Sequence, residues 1–310
     1  MKEIQKMMIL GVAAALALSL VFAACGGGGG ETGQESGSEE QSRSDEKAEE
    51  GDKELRFGLF NWAENIAVTN MWALLLEERG YTVEIVTGDK SPVWTGVAEG
   101  DLDIHFESWM PSTDKPLWEE YSDTLDEYGP WYEGTQLGLT VPEYVDVDSI
   151  EELNDNRDKF IENNRPSIVG IDSGSSLMKL TDEALEEYDL DLNLISSSGP
   201  VMTASIIKAV ENEEPIVATL WKPHWIFAEV DLKFLEDPKN IYGQDESIYF
   251  VTHESFEERH PEVVEWMQNW KMDDQSLGSL MGAINESDSP EEGAQEWIEA
   301  NSDLVDSWFE

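Results

Sequence analysis

The sequence predicts an α/β fold of two lobes with a ligand cleft between them, and two observations lead there. From Leu55 onward short apolar runs alternate with helical stretches, the pattern of strands joined by helices in mostly parallel sheets. Two extended segments, near Val141 and near Phe250, mark where the chain crosses from one lobe to the other. The 310 residues are enough for one large or two medium lobes, each able to bury a core.

Taken in order, Leu55–Phe60 reads as a strand and Glu64–Arg79 as an amphipathic helix closed by Gly80. Thr82–Thr87 is a strand, Pro92–Glu99 a short helix stopped by Gly100, Leu102–Phe106 another strand, and Gln136–Val141 is extended. Ser167–Ile171 runs as a strand into the turn Asp172-Ser173-Gly174-Ser175-Ser176, and a helix follows from Leu177 to about Tyr188. Val201–Glu211 is helical, Pro215–Leu220 is a buried strand, and Ile248–Thr252 is extended. From Pro261 to the end the chain is nearly all helix, with breaks near Asp273, Ser287 and Asn301. Lobe 1 then comprises residues 54–142 joined by 248–310, and lobe 2 residues 143–247.

Charge and composition remove several classes of function. With 67 Asp and Glu against 19 Lys and Arg, the net charge of −48 excludes nucleic acid as a partner, because phosphate backbones are repelled. A single cysteine excludes an internal disulfide framework and any Cys-rich zinc or iron–sulfur site. A hydrophobic fraction of 40% argues against disorder of the whole chain. Twelve Trp outnumber ten Phe and eight Tyr, an inversion of the usual order that calls for an explanation.

The N-terminus reads as an address. Lys2 and Lys6 precede an unbroken apolar or small-residue run from Met7 to Ala24, which has the form of a secretory signal with its boundary at 1–24. An uncleaved anchor is the competing explanation. Cys25 follows Phe22-Ala23-Ala24 and resembles a bacterial lipoprotein cleavage site, although such sites usually carry Leu where Phe22 stands. Residues 25–53 form a Gly-, Ser- and Glu-rich tether. After Cys25 it holds nine acidic and three basic residues, so most of the −48 belongs to the part that folds.

Certain tryptophans fall where a ligand is expected. Trp62, Trp109 and Trp221 each follow the end of a predicted strand, and open α/β sheets bind ligands just beyond the carboxyl ends of their strands. Aromatic faces suit a quaternary ammonium ion, which has no N–H to donate. Each such face supplies roughly 0.5–2 kcal/mol. Core packing is the competing explanation for any one Trp, and it is the assignment for Trp72, Trp94, Trp225, Trp266, Trp270, Trp297 and Trp308. Trp118 and Trp131 lie in irregular stretches without assignment. The strand-turn-helix segment Gly170 to Leu177 leaves backbone N–H groups at Ser176 and Leu177 without intrahelical partners, and such a helix start binds carboxylates. Ordinary serine capping of a surface helix explains it equally well.

The runs Asn61-Trp62-Ala63-Glu64-Asn65-Ile66-Ala67, Glu107-Ser108-Trp109-Met110-Pro111-Ser112-Thr113-Asp114-Lys115, Gly170-Ile171-Asp172-Ser173-Gly174-Ser175-Ser176-Leu177-Met178 and Trp221-Lys222-Pro223-His224-Trp225 together resemble glycine betaine-binding lipoproteins of ABC transporters. The resemblance extends from about Leu55 to Glu310. It implies a periplasmic-binding-protein-like fold, a trimethylammonium cage at Trp62, Trp109 and Trp221, and carboxylate-binding amides at Ser176 and Leu177. Further implications are a lipid anchor at Cys25, an extracytoplasmic monomer, permease and ATPase partners, and a part in osmoprotection.

One position departs from the pattern. Some relatives carry a carboxylate-binding His five residues after the second cage Trp, and here that residue is Asp114, which repels a carboxylate unless protonated. Asp114 then points away, or Ser112 and Thr113 help the helix start, or the ligand is a cation such as choline. His224 reads as a structural hydrogen-bonder, with ligand contact as the alternative.

Catalytic signatures are missing. The chain has no phosphate loop and no dinucleotide fingerprint, and Gly170-Ile171-Asp172-Ser173-Gly174 is off-register for a nucleophile elbow. His253-Glu254 with Glu257 lacks the second His of a zinc helix, so neither metal nor cofactor is expected. The expected function is capture of glycine betaine or proline betaine without catalysis. A choline or carnitine binder of the same kind is the nearer alternative. An exported hydrolase or lyase acting on a charged metabolite is the alternative from another class.

Overall fold

In the computed structural model residues 53–310 are described; the proposed signal, Cys25 and all of the tether except Lys53 lie outside the described residues. The strands are β1 (Glu54–Leu59), β2 (Thr82–Thr87), β3 (Ile104–Met110), β4 (Leu125–Glu133), β5 (Gln136–Pro142), β6 (Ile161–Glu162), β7 (Arg165–Val169), β8 (Asn193–Ile195), β9 (Ala218–Lys222), β10 (Leu232–Phe234) and β11 (Ser247–His253). The helices that matter below are α1 (Ala63–Glu77), α2 (Lys90–Ala98), α3 (Lys115–Tyr121), α4 (Ser176–Glu187), α5 (Gly199–Glu211), α6 (Pro261–Asn269), α7 (Asp274–Glu286) and α8 (Pro290–Ala300).

Two sheets organise the chain. The first has strand order β2-β1-β3-β11-β4, and the second β10-β5-β9-β7-β6 with β8 also paired to β7. Neither is mostly parallel, contrary to the sequence expectation. β2, β1 and β3 run parallel, but β11 returns antiparallel between β3 and β4. In the second sheet β9, β7 and β8 are parallel, whereas β5, β10 and β6 pair antiparallel. Helical crossovers impose parallel pairing, and a strand that arrives from the other sheet escapes that constraint.

β5 pairs with β9 from Gln136↔Lys222 to Thr140↔Ala218, so it belongs to the second sheet and not with the residues before it. The chain passes between sheets at two places that are tied together. Glu246 O accepts the N–H of Gly134 and of Thr135, each at 3.1 Å, and Glu246 N donates to Thr135 Oγ1 at 3.0 Å. Gly134 has φ +88°, a conformation that a side chain disfavours.

The C-terminal helices back the first sheet. α7 is capped reciprocally, Ser276 N donating to Asp273 Oδ1 at 2.8 Å and Asp273 N to Ser276 Oγ at 2.9 Å, which explains the break expected near Asp273. Ser289 caps α8 through its Oγ, which accepts from Glu292 N at 3.1 Å. Between α1, α6 and the first sheet lies an aromatic core. Trp131 stacks on Trp270 at 4.6 Å, and Trp72 meets Trp270 edge-on at 5.6 Å. Trp131 thereby acquires the core role that its irregular sequence context did not reveal.

Candidate functional site

A cavity is lined by Trp62, Trp109 and Trp221 together with Ser175, Ser176 and Leu177. Trp62 sits between β1 and α1, as the residue that precedes the helix. Trp109 and Trp221 are the penultimate residues of β3 and β9, not residues that follow those strands as the apolar runs suggested. All three nevertheless stand at carboxyl ends of strands, two from the first sheet and one from the second. Glu64, Lys90, Thr113, Leu137 and Ile171 complete the lining.

Each of these indoles gives its N–H to a carboxylate. Trp62 Nε1 donates to Asp172 Oδ2 at 2.9 Å, Trp221 Nε1 to Glu64 Oε2 at 2.7 Å, and Trp109 Nε1 to Glu107 Oε1. A carboxyl oxygen at the N–H holds each ring in one orientation. The bonds from Trp62 and Trp221 also span the two sheets, linking β1–α1 to the second sheet at the cavity. Trp62 is supported from behind by Phe60, stacked at 5.0 Å.

Two of the carboxyls are unusual. Burial raises Glu64 from its ordinary 4.5 to about 7, against the bonds that its oxygens accept. Burial together with the neighbouring Glu64 charge raises Glu107 well above 4.5. The pair therefore retains protons at pH values where a surface glutamate has lost its own.

A helix start also lines the cavity. Ser175 caps α4, its Oγ accepting from Met178 N at 3.2 Å, which leaves the N–H groups of Ser176 and Leu177 without intrahelical acceptors. Lys90, at the first position of α2, reaches the same place and donates to Ser176 Oγ at 3.2 Å.

Asp114 is fully buried and is not among the residues that line the cavity. It forms an ion pair with Lys90, and its Oδ2 accepts the N–H of Trp109 at 2.9 Å. Ser112 and Thr113 turn their backbone N–H groups to Glu246, Thr113 at 3.0 Å, while Thr113 also lines the cavity. His224 lies outside the lining, edge-on to Trp221 at 4.8 Å, and its Nδ1 accepts from Ile226 N at 3.1 Å. Burial lowers its pKa to about 3, so it is neutral at physiological pH.

Sequence reasoning missed Lys90, Glu64, Glu107 and Asp172 as members of the site. Glu64 lay two residues from Trp62 in a quoted motif, and Asp172 inside another. Lys90 had no such signal, since only the fold brings it to Ser176 and Asp114. Among the described residues no helix is long and apolar enough to cross a membrane, and no cluster of His, Cys, Asp or Glu is placed to hold a metal ion.

Two mixed sheets with an indole-lined cavity at their strand ends have the layout of a small-molecule binding site. The chain belongs to the family described as the substrate-binding domain of ABC-type glycine betaine transport systems, OpuAC, whose model matches residues 53–300. It is similar to the glycine betaine/carnitine transport binding protein GbuC of Listeria monocytogenes, 38% identical over 145 residues, 46% of this chain and 48% of that protein. The match thus spans about half the length of that relative. Two solved structures cover 83% of this chain. Lactococcal OpuAC, in a closed conformation with glycine betaine bound, has TM-score 0.76 and 31% identity over 100% of its own chain. The glycine betaine and L-proline-binding protein ProX of Borrelia burgdorferi has TM-score 0.77 and 33% identity over 96% of its chain.

Proposed function

We propose that this protein captures glycine betaine, or a close relative with both a quaternary ammonium and a carboxylate, and delivers it to a membrane permease driven by a cytoplasmic ATPase. The observation that carries the reading is the convergence of Trp62, Trp109 and Trp221 on one cavity, with a carboxyl oxygen behind each N–H and the start of α4 in the same lining. The trimethylammonium group lies against the indole faces, gaining about 0.5–2 kcal/mol at each. The carboxylate takes the free amides of Ser176 and Leu177. Binding is the whole event, and no bond is broken.

The protein works outside the cytoplasm as a monomer. Residues 1–24 are removed as a signal, Cys25 carries the lipid, and residues 25–53 hold the domain off the membrane. Lobe 1 comprises residues 54–134 with 246–310, and lobe 2 residues 135–245. Its boundary sits earlier than near 142 because β5 pairs within the second sheet. The tied segments at Gly134, Thr135 and Glu246 serve as the hinge.

Tryptophan fluorescence of the full chain, titrated with glycine betaine, proline betaine, carnitine and choline, tests the reading. Saturable quenching or a blue shift with the carboxylate-bearing compounds is expected. Silence with all four, beside turnover of any of them, would overturn it.

A further inference from the structure

We propose that Lys90, positioned by Asp114, contacts the ligand carboxylate directly, and that this pair selects carboxylate-bearing quaternary ammonium compounds over choline. The proposal rests on the cage reading above.

The Lys90 side chain is only 3% exposed, yet it lines the cavity. An ammonium has three N–H donors. One is engaged in the ion pair with Asp114 Oδ1 and one goes to Ser176 Oγ at 3.2 Å. The third is left for the cavity. Nζ stands 5.4 Å from the centre of the Trp62 ring, so a single small molecule can touch both the indole and the ammonium. The bond to Ser176 places the same Nζ beside the open amides of α4, so that three donors, one ammonium and two amides, can converge on one anion.

Asp114 is buried, does not line the cavity, and turns its oxygens to groups of the protein. Oδ2 accepts the Trp109 N–H at 2.9 Å, and Oδ1 accepts from Lys90 and from Ser176 Oγ at 3.4 Å. Its charge is offset by Lys90, which removes the repulsion that an aspartate at this position otherwise exerts on a carboxylate. Asp114 is therefore a positioning residue and Lys90 the ligand contact. Choline has a hydroxyl where glycine betaine has a carboxylate, and a neutral oxygen gains less from a charged donor than an ionised one does.

Calorimetric titration of the full chain with glycine betaine and with choline provides the test, using wild type, Lys90→Met, and the double variant Lys90→Met with Asp114→Asn. Lys90→Met should weaken glycine betaine at least about tenfold while choline changes by less than about threefold. The double variant, which leaves no buried unpaired charge and folds where the single one does not, should show the same selective loss. Equal weakening of both compounds, or unchanged glycine betaine affinity, overturns the proposal alone. Recovery of glycine betaine binding in the double variant also overturns it, because the single loss then came from unmasking Asp114. Wild-type protein that binds neither compound overturns the cage reading and the proposal with it.

Discussion

Two groups of tryptophans in this molecule are both buried and differently built. Trp72, Trp131, Trp270 and Trp308 pack ring against ring, with centroid separations from 4.6 to 6.4 Å. The N–H of Trp72 and of Trp270 has no hydrogen-bond partner, and Trp131 donates to a backbone oxygen, Phe106 O, at 3.0 Å. Trp62, Trp109 and Trp221 each donate to a carboxylate and line one cavity. Exposure differs only slightly, from 0 to 2% in the first group and from 3 to 8% in the second. The carboxyl oxygen at the N–H separates them: it holds each ring in one orientation at the cavity.

The largest expected effect breaks the core group. Trp270→Ala should cost about 3–5 kcal/mol of stability in denaturant unfolding, with the affinity of the remaining folded protein nearly unchanged. If glycine betaine binding fell as far as stability, the two groups would be one functional unit.

Next in size is the cage. Trp62→Ala, Trp109→Ala and Trp221→Ala should each weaken glycine betaine by about 1–2 kcal/mol, roughly 5- to 30-fold, in fluorescence or calorimetric titration. Trp225, which does not line the cavity, should tolerate Ala with little loss of affinity. The reverse order would reassign the third indole within Trp221-Lys222-Pro223-His224-Trp225.

A third effect concerns the proton on Glu64. Its pKa is raised to about 7, so the folded protein holds a proton that the unfolded chain has released above about 4.5. The Glu64 contribution to stability is present below pH 4.5 and is lost as pH rises through about 7. Glycine betaine affinity should move the other way, rising through the same window, because a cation beside Glu64 favours its ionised form. Calorimetry in buffers of different ionisation enthalpy should register proton release on binding near pH 7, and Glu64→Gln should abolish it. Proton uptake, or no buffer dependence, would remove Glu64 from contact with the cation.

The smallest effect isolates the N–H. Trp72→Phe removes a donor that has no partner, so the change should stay within about 1–2 kcal/mol of stability and leave binding alone. Trp221→Phe leaves Glu64 without its donor and should reduce affinity several-fold while the ring face remains. Equal behaviour of the two substitutions would show that the carboxylates are incidental.

Much of this arrangement was legible from local pattern. Thr82–Thr87 came out residue for residue, and the breaks at Asp273 and Ser287 came from capping chemistry written in adjacent residues. Trp62, Trp109 and Trp221 were legible because strand ends are local and the end of a strand is where α/β sheets bind ligands. β4 was not, since its aromatic and acidic residues, Leu125–Glu133, show no clean alternation and its pairing with β11 spans more than a hundred residues. Asp114 was read as a source of repulsion because its neutralising partner lies 24 positions earlier, at Lys90.

The amino-acid sequence by itself determined most helices and strands, the three indoles at strand ends and the open amides at Ser176 and Leu177. These follow from periodicity, capping and turn chemistry, all of which act within a few residues. Only the tertiary structure decided which carboxyl group stands behind each indole, that Lys90 meets Ser176 and Asp114 at the cavity, and that the sheets are mixed. Those outcomes depend on which distant segments meet when the core closes, and electrostatic pairing in a buried site is decided by that meeting and not by spacing along the chain.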